Sequence, residues 1–273
     1  MPLKPPQSGD PLTLNRLQTL LSSLQAQAIQ TPEPGSMPLL ISGVACGHLS
    51  PRAVEVFVRQ RPELMFDGQI LISANVRLSE ELAEMALALH EAGCIPKWRD
   101  ELLDVWCDNN AVGAIERGAV RPLGLLTRAV HLNAWSRAGD LWVARRALNK
   151  PTDPGMWDTL VGGLVGYNEP DDLALVRETQ EEAGLSEADI ASREPIRSIF
   201  RMQRRVNEGF QYEEVLTSDC VLADDVTPQN QDGEVMEITC LSTSAIKQML
   251  EDGAFTLEAS IVITESLLDR MRL

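Results

Sequence analysis

Gly163-Leu164-Val165-Gly166-Tyr167-Asn168-Glu169, seven residues and then Arg177-Glu178-Thr179-Gln180-Glu181-Glu182-Ala183-Gly184-Leu185 is the stretch on which the reading of this chain turns. A glycine-rich loop leads into a segment that starts with Pro170, Asp171 and Asp172 and stops at Gly184. Proline suits a first helical position, acids suit the positive end of a helix dipole, and glycine supplies the left-handed stop. The signals predict a helix from Glu169 to Ala183, roughly four turns long. Glu178, Glu181 and Glu182 then stand three and four positions apart and share a face with Ala174. Leu175, Val176, Thr179 and Ala183 form a second stripe that can meet a core. Three carboxylates crowded on one face repel one another without a cation. Hard divalent ions take oxygen ligands and bridge to substrate phosphates, so the pattern points to phosphate-ester chemistry.

The stretch resembles the signature of the Nudix hydrolases, Gly-x5-Glu-x7-Arg-Glu-U-x-Glu-Glu-x-Gly-U, with U a bulky aliphatic residue. Every fixed position is present, and the one departure is Thr179 at the first U, which brings a hydroxyl to the edge of the core. A solvated acidic helix face would account for Glu181-Glu182 alone; it does not account for a loop and a helix with all fixed positions in order. The resemblance implies an α/β fold, the α/β/α sandwich of the family. It implies Glu178, Glu181, Glu182 and the carbonyl of Gly162 as metal ligands, with Glu178 alternatively orienting the attacking water. Arg177 would hold Glu178 or Glu169 by an ion pair, and Gly163 would lie against the substrate. Mg²⁺ is the implied ion, with Mn²⁺ as a substitute. A Nudix-fold sensor that keeps the motif without turnover is the alternative from outside enzymology.

Composition narrows the remaining choices. At 273 residues the chain is long enough for two domains or one enlarged domain. A formal charge of -16 and a pI near 4.6 argue against a nucleic-acid partner, which needs a basic stripe. Five scattered cysteines without a CxxC pair suggest neither a disulfide framework nor a zinc site, so reduced thiols in a cytoplasmic protein are expected. No apolar run reaches about eighteen residues, and the N-terminus has no signal-peptide pattern, so no membrane partner is expected.

Outward from the motif, residues 1–10 read as a loose tail and leucines at helical spacing predict a helix from Leu12 to Ile29. Strands are expected at Leu39–Val44 and Ile70–Ala74. Helices are expected from Ser50-Pro51 to Arg61 and from Ser79, as N-cap, to Ala92. Two further strands are expected around Leu103–Trp106 and Gly113–Arg117. Beyond Pro122 the pattern becomes strand-like at Leu125–Trp135 and Leu141–Ala147, around a polar loop. After the motif come strands at Arg197–Val206, Phe210–Leu222 and Val235–Leu241, and helices at Thr243–Glu251 and Leu257–Met271. The expected division is an N-terminal α+β domain, 1–122, and a Nudix domain, 123–273. The N-terminal helices leave open whether that domain forms a homodimer, shapes the pocket or binds a partner.

Shorter strings extend the resemblance. Leu141-Trp142-Val143-Ala144-Arg145-Arg146, Lys150, Pro154-Gly155-Met156-Trp157-Asp158 and the upstream Trp98-Arg99-Asp100-Glu101-Leu102-Leu103-Asp104-Val105 look like the Nudix subfamily fused to thiamine pyrophosphokinase in some fungi and found alone in plants, yeast and bacteria. That resemblance implies removal of phosphate from thiamine diphosphate and, preferentially, from its oxidised damage products. Hydrolysis of a nucleoside diphosphate derivative such as ADP-ribose, NADH or a damaged nucleotide is the rival within the family. An isoprenoid diphosphate isomerase needs a cysteine context that Cys220 and Cys240 lack. A flat heterocycle calls for aromatic walls, for which Trp157 is the candidate, with Trp98 and Trp106 reaching in from the other domain. Arg145, Arg146 and Lys150 are candidates for phosphate contacts. The resemblance also implies an acid from a late loop as general base or metal ligand; Glu234 is the first choice and Glu237 the second.

Overall fold

The computed structural model describes residues 11–150, 152–231, 233 and 235–272. Helix α1 (Pro11–Gln27) is followed by strands β1 (Met37–Ile41) and β2 (Val44–Leu49). These form a tight hairpin where a single strand was expected. Ser42 and Gly43 turn the chain with φ of 50° and 85°, the two consecutive positive values that a two-residue hairpin loop requires. Helix α2 (Pro51–Gln60) starts on Ser50, whose hydroxyl accepts the Ala53 N–H. Strands β3 (Met65–Phe66) and β4 (Gln69–Ile72) complete a four-stranded sheet in the order β2-β1-β4-β3, with β1 and β4 parallel. Helix α3 (Leu78–Glu91) begins one residue before the expected cap. Leu78 N–H already bonds to Asn75 O, and Asn75 Oδ1 accepts the Arg77 N–H, so the preceding turn starts the helix and Ser79 lies inside it. Strands β5 (Leu102–Cys107) and β6 (Asn110–Glu116) form a separate antiparallel ribbon. Leu39, Phe57, Leu82, Met85, Leu89, Leu103 and Ile115 fill the core of this half.

The expectation of five reduced thiols is wrong for two of them. Cys46 of β2 and Cys107 at the end of β5 form a disulfide that spans 61 positions. Both are buried, and their Cα atoms are 5.3 Å apart, which permits a bridge. Cys94, Cys220 and Cys240 are free.

A 3-10 turn, Arg117–Ala119, and helix α4 (Val120–Leu123) lead into the second half. Its elements are β7 (Leu126–Trp135), β8 (Leu141–Arg146), β9 (Trp157–Thr159), β10 (Val161–Leu164), α5 (Asp171–Ala183), β11 (Arg197–Val206), β12 (Gly209–Val221), β13 (Val235–Leu241), α6 (Thr243–Glu251) and α7 (Leu257–Arg272). The sheet runs β11-β12-β7-β8-β13, with β10 also paired to β7 and β9 to β8. The β7 and β12 strands run parallel; the other pairs are antiparallel. Strand β7 is buried nearly throughout, as a strand covered on both faces must be. Its alternate residues Val130, Leu132 and Ala134 join the α5 core with Ala174, Leu175 and Ala183. Trp135 belongs to the opposite layer, with Phe255, Ile263 and Leu267. The architecture is the α/β/α sandwich. Helix α1 crosses from the N-terminal segment to pack on this outer layer, where Leu17 joins the cluster of Trp135, and Leu24, with Ala28 just past the helix, joins that of Ile261. Among the described residues no helix is long and apolar enough to cross a membrane.

Candidate active site

Strand β10 runs along β7 with Gly162 opposite His131 and Gly163 opposite Val130. A Cβ on Gly163 would lie 2.0–2.4 Å from the carboxyl atoms of Glu178, so only glycine lets the α5 carboxylate seat against the strand. Pro170 is the N-cap, with extended backbone at ψ 141°, and not the first helical residue as expected. At the other end Gly184 takes the left-handed conformation, φ 65°.

Arg177 organises the helix face. Its Nε and Nη2 bond to the two oxygens of Glu169, both at 2.8 Å. Nη1 reaches Glu178 Oε1 at 2.7 Å and Glu181 Oε2 at 3.2 Å, and Nη2 also bonds to Leu164 O at 3.1 Å. One guanidinium therefore ties loop, strand and helix together, and it answers both expectations for Arg177 at once. Its bonds lower the Glu169 pKa, against a smaller opposing effect of burial. Burial raises the pKa of Glu178 in spite of Arg177. Glu182 has no guanidinium: its Oε2 accepts the Gly162 N–H at 2.9 Å. Burial pushes its pKa up to about 8, opposed by that amide and reinforced by Glu178 and Asp158.

Glu178, Glu181 and Glu182 share the helix face, but they do not converge on one point. Among the described residues no three acidic, histidine or cysteine side chains form a ready metal cluster. Glu178 and Glu181 turn to Arg177, and Glu182 turns to a backbone amide. The donor chemistry nevertheless fits a divalent cation. Glu169, Glu178 and Glu181 share the Arg177 guanidinium, Glu182 stands beside them on a backbone amide, and all four offer hard oxygen donors.

These groups open into a cavity of about 1390 Å³. Arg146, Lys150, Gly162, Gly163, Arg177, Glu178, Glu181 and Glu182 all line it. Arg146 is braced there by Asp158 at 2.9 Å and by Thr152 O. Arg145 points the other way, as strand alternation dictates: its Nε bonds to Gly155 O, and its guanidinium lies 5.8 Å from the Trp157 ring centroid. Trp157 packs with the α6–α7 core and exchanges backbone hydrogen bonds with Ala254 and Thr256. Trp98 bonds to Asp100 and stands beside His90; Trp106 lies under Arg128. The expected tryptophan wall is therefore not what lines the cavity. Tyr167 and His131 are its aromatic side chains. Glu237 is exposed on β13, and Glu234 falls outside the described residues.

A family model for the NUDIX domain matches residues 125–258. Those residues are a Nudix domain. The chain is 30% identical over 211 residues to Nudix hydrolase 20, chloroplastic, of Arabidopsis thaliana, covering 74% of this chain and 56% of that protein. It is 31% identical over 214 residues to Nudix hydrolase 24, chloroplastic, of the same plant, covering 74% and 58%. The chain thus spans somewhat over half the length of these relatives. The DR0079 protein of Deinococcus radiodurans aligns over 63% of this chain and 98% of its own, with 20% identity and a TM-score of 0.48.

The floor of the cavity is Nudix-domain structure that the motif does not announce. His131 of β7 lies 2.8 Å from Glu258 Oε1 at the start of α7, and its other ring nitrogen lies 3.0 Å from Thr159 Oγ1. Burial opposes the imidazolium, but Glu258 outweighs it and the His131 pKa rises. For Glu258, burial is likewise outweighed by His131, and its pKa falls. Glu213 of β12 accepts hydrogen bonds from Thr127 Oγ1 and Gln211 Nε2. A signal for this floor was present in the sequence: Thr127, His131 and Asn133 alternate along β7 on the face away from Val130 and Leu132. Buried polar residues at strand spacing need partners, and a covered strand offers them only across the sheet or from the helix above.

Proposed function

We propose that this chain is a divalent-metal-dependent hydrolase of a diphosphate, and that its substrate is thiamine diphosphate or an oxidised form of it, released as the monophosphate and inorganic phosphate. The observation that carries the reading is Glu178 and Glu182 on one helix face, against Gly162 and Gly163, opening into a cavity large enough for a diphosphate ester. Glu178, Glu181, Glu182 and the Gly162 carbonyl would hold Mg²⁺, or Mn²⁺ in its place. When bound, the ion supplies charge neutralisation at the phosphates and a lowered pKa for water. Arg177 fixes Glu178 and Glu169, which keeps the loop at the geometry the reaction needs. Glu178, seated against Gly163 and steadied by Arg177, takes the proton of the attacking water. The water oxygen bonds to the terminal phosphorus, the bridging P–O bond breaks, and the bridging oxygen leaves with the monophosphate. Glu234 remains a base candidate on sequence alone. The thiamine assignment is supported by the subfamily strings and by the floor, where Glu213, Gln211 and Glu258 offer acceptors to an amino-substituted heterocycle.

A panel of thiamine diphosphate, oxidised thiamine diphosphate, ADP-ribose, NADH and oxidised dGTP with Mg²⁺, scored for phosphate or monophosphate, tests the reading. Turnover of the thiamine compounds supports it. Preference for a nucleotide replaces the substrate but keeps the chemistry. Tight binding without product under Mg²⁺ or Mn²⁺ selects the sensor. Glu182→Gln keeps the helix and removes a ligand charge; activity near wild type in that variant would sink the metal assignment.

A further inference from the structure

The cavity over the Nudix carboxylates has a second wall made by residues that precede the Nudix domain. Arg117, from the 3-10 turn, and Arg121, from α4, are four positions apart and both line it, together with Lys97 and Arg99. We propose, resting on the diphosphate reading above, that Arg117 and Arg121 form an anion subsite that grips the phosphate end of the substrate from across the cavity. Affinity then depends on the segment before residue 125, and turnover on the Nudix helix.

The wall is built and not merely present. Glu116 is buried, and its carboxylate accepts the backbone N–H groups of Arg99 at 2.8 Å, Gly118 at 3.2 Å and Glu101 at 3.3 Å. One side chain thus clamps the loop 99–101 to the turn that carries Arg117. A Cβ on Gly118 would come 2.5 Å from Ile95 Cγ2 and 3.1 Å from Lys97 O, so the turn sits directly on the segment that leads into that loop. Arg117 bonds to Glu101 through Nη1 at 2.7 Å, and its charge acts on Glu178 across the gap. Arg121 is fixed from both sides by backbone. Gly209 has φ 143°, and a Cβ there would lie 2.2 Å from Arg121 O, so the β11–β12 turn seats on α4. On the other side, Cβ atoms on Gly47 and Gly124 would lie 2.5 Å from Leu123 O and 2.4 Å from His48 O. The Arg121 guanidinium lies 3.3 Å from Thr152 Oγ1 and 4.0 Å from Glu208 Oε2.

Electrostatics supplies the need. The protein carries a formal charge of -16, and four carboxylates surround the place where a diphosphate must sit. A cation held by those carboxylates neutralises only part of the incoming charge. Guanidinium groups keep their charge at any working pH and pair with phosphate oxygens in a bidentate fork. Arg177 is engaged on three carboxylates, Arg145 faces elsewhere, Arg146 is tied to Asp158 and Thr152, and Arg204 to Asp153 and Gln211; among the described residues Arg117 bonds one carboxylate and Arg121 one hydroxyl, so their remaining N–H groups are placed for this work.

The test uses the full-length protein and methylenediphosphonate, a diphosphate analogue that cannot be cleaved at its bridge, titrated calorimetrically in magnesium buffer. The wild type should bind it, and Arg117→Gln and Arg121→Gln should each weaken binding about tenfold, with Arg→Lys recovering part of the loss. On the turned-over substrate, the same variants should raise KM more than they lower kcat. Wild-type affinity in the folded double Gln variant overturns the subsite, as does a wild type that does not bind the analogue. If a Gln variant fails to fold, the Lys variants decide: affinity unchanged from wild type overturns the proposal, because lysine keeps the charge but loses the fork. A wild type that binds the analogue and cleaves no diphosphate overturns the hydrolase reading and leaves the subsite standing.

Discussion

The two walls of the cavity are held by different physics. The Nudix wall is a glycine strand against a helix, and its charges are local: Arg177 gathers acids from its own helix and the loop before it. The opposite wall belongs to a ribbon and a turn whose geometry depends on distant partners, the Cys46–Cys107 bridge and the Glu116 clamp. The difference explains why a spacing pattern announces the first wall and nothing announces the second. It also sets how each should break.

Gly163→Ala should do the greatest damage. The added carbon would fall 2.0–2.4 Å from the Glu178 carboxyl atoms, so the side chain proposed to take the proton must swing away. A displacement of about 1 Å at a reacting group can cost about a hundredfold in rate. A loss of at least that size in kcat, with a cooperative melt retained, is expected. Activity near wild type would show that Glu178 does not need its seat on β10.

The opposite wall is tested through its staple. Cross-linking residues 61 positions apart removes about 4 kcal/mol of chain entropy from the unfolded state in the loop-closure treatment. Cys46→Ala with Cys107→Ala should lower stability by an amount of that order, read as a shift of the urea midpoint. The β5 strand also holds the motif loop, since Tyr167 N–H bonds to Leu102 O at 2.9 Å and Asn168 N–H to Asp104 Oδ1 at 3.4 Å. Weaker substrate binding should therefore accompany the loss. The converse result, full stability in the double alanine variant and no response to reductant, would remove the staple from the comparison.

The floor joins the walls, and its stability should depend on pH in a defined way. Against burial, Glu258 is held below its ordinary 4.5 by His131 with Arg204 and Arg121, and His131 above its ordinary 6.5 by Glu258 with Asp158 and Glu213. The carboxylate's contribution is complete above about 4.5 and disappears as pH falls through its depressed value. The imidazolium's is complete below about 6.5 and disappears as pH rises through its raised value. The pair therefore stabilises most between those limits. Glu258→Gln should cost about 3 kcal/mol in that window, because it leaves a buried imidazolium without its counter-charge. The cost should shrink on the alkaline side, where His131 is neutral. A melting profile displaced equally at all pH values would refute the pairing as its origin.

What could be read from sequence follows the range of the interactions involved. The helix Asp171–Ala183, its glycine stop and the Arg177 contacts depend on neighbours within about fifteen positions, and spacing reveals them. Strands such as Arg197–Val206 and the helix Thr243–Glu251 emerge from local periodicity for the same reason. The disulfide, the His131–Glu258 pair 127 positions apart and the placement of Arg121 against Gly209 are products of topology, which no local pattern carries. Trp157 shows the opposite error. Its position beside the motif loop suggested a pocket wall, but a strand residue two places along faces a different layer from one place along, and Trp157 joins the α6–α7 core.

Thr179 offers the smallest test and the cleanest sign. It occupies the motif position that calls for a bulky aliphatic residue, and it is fully buried on the core side of α5. Among the described residues its hydroxyl has no hydrogen-bond partner. An unpaired buried hydroxyl costs about 1 kcal/mol or more relative to an apolar group of the same shape. Thr179→Val keeps the β-branch and the volume, so it should raise stability by about 1 kcal/mol and leave kcat unchanged, because the side chain belongs to the buried stripe of α5 with Leu175 and Ala183 and does not line the cavity. Differential scanning calorimetry reads the first effect and steady-state kinetics the second. A destabilised valine variant would mean that the hydroxyl finds a partner in solution. A valine variant with altered kcat would mean that the back of the helix is coupled to its acidic face, and the Nudix wall would then be less self-contained than its local charge network implies.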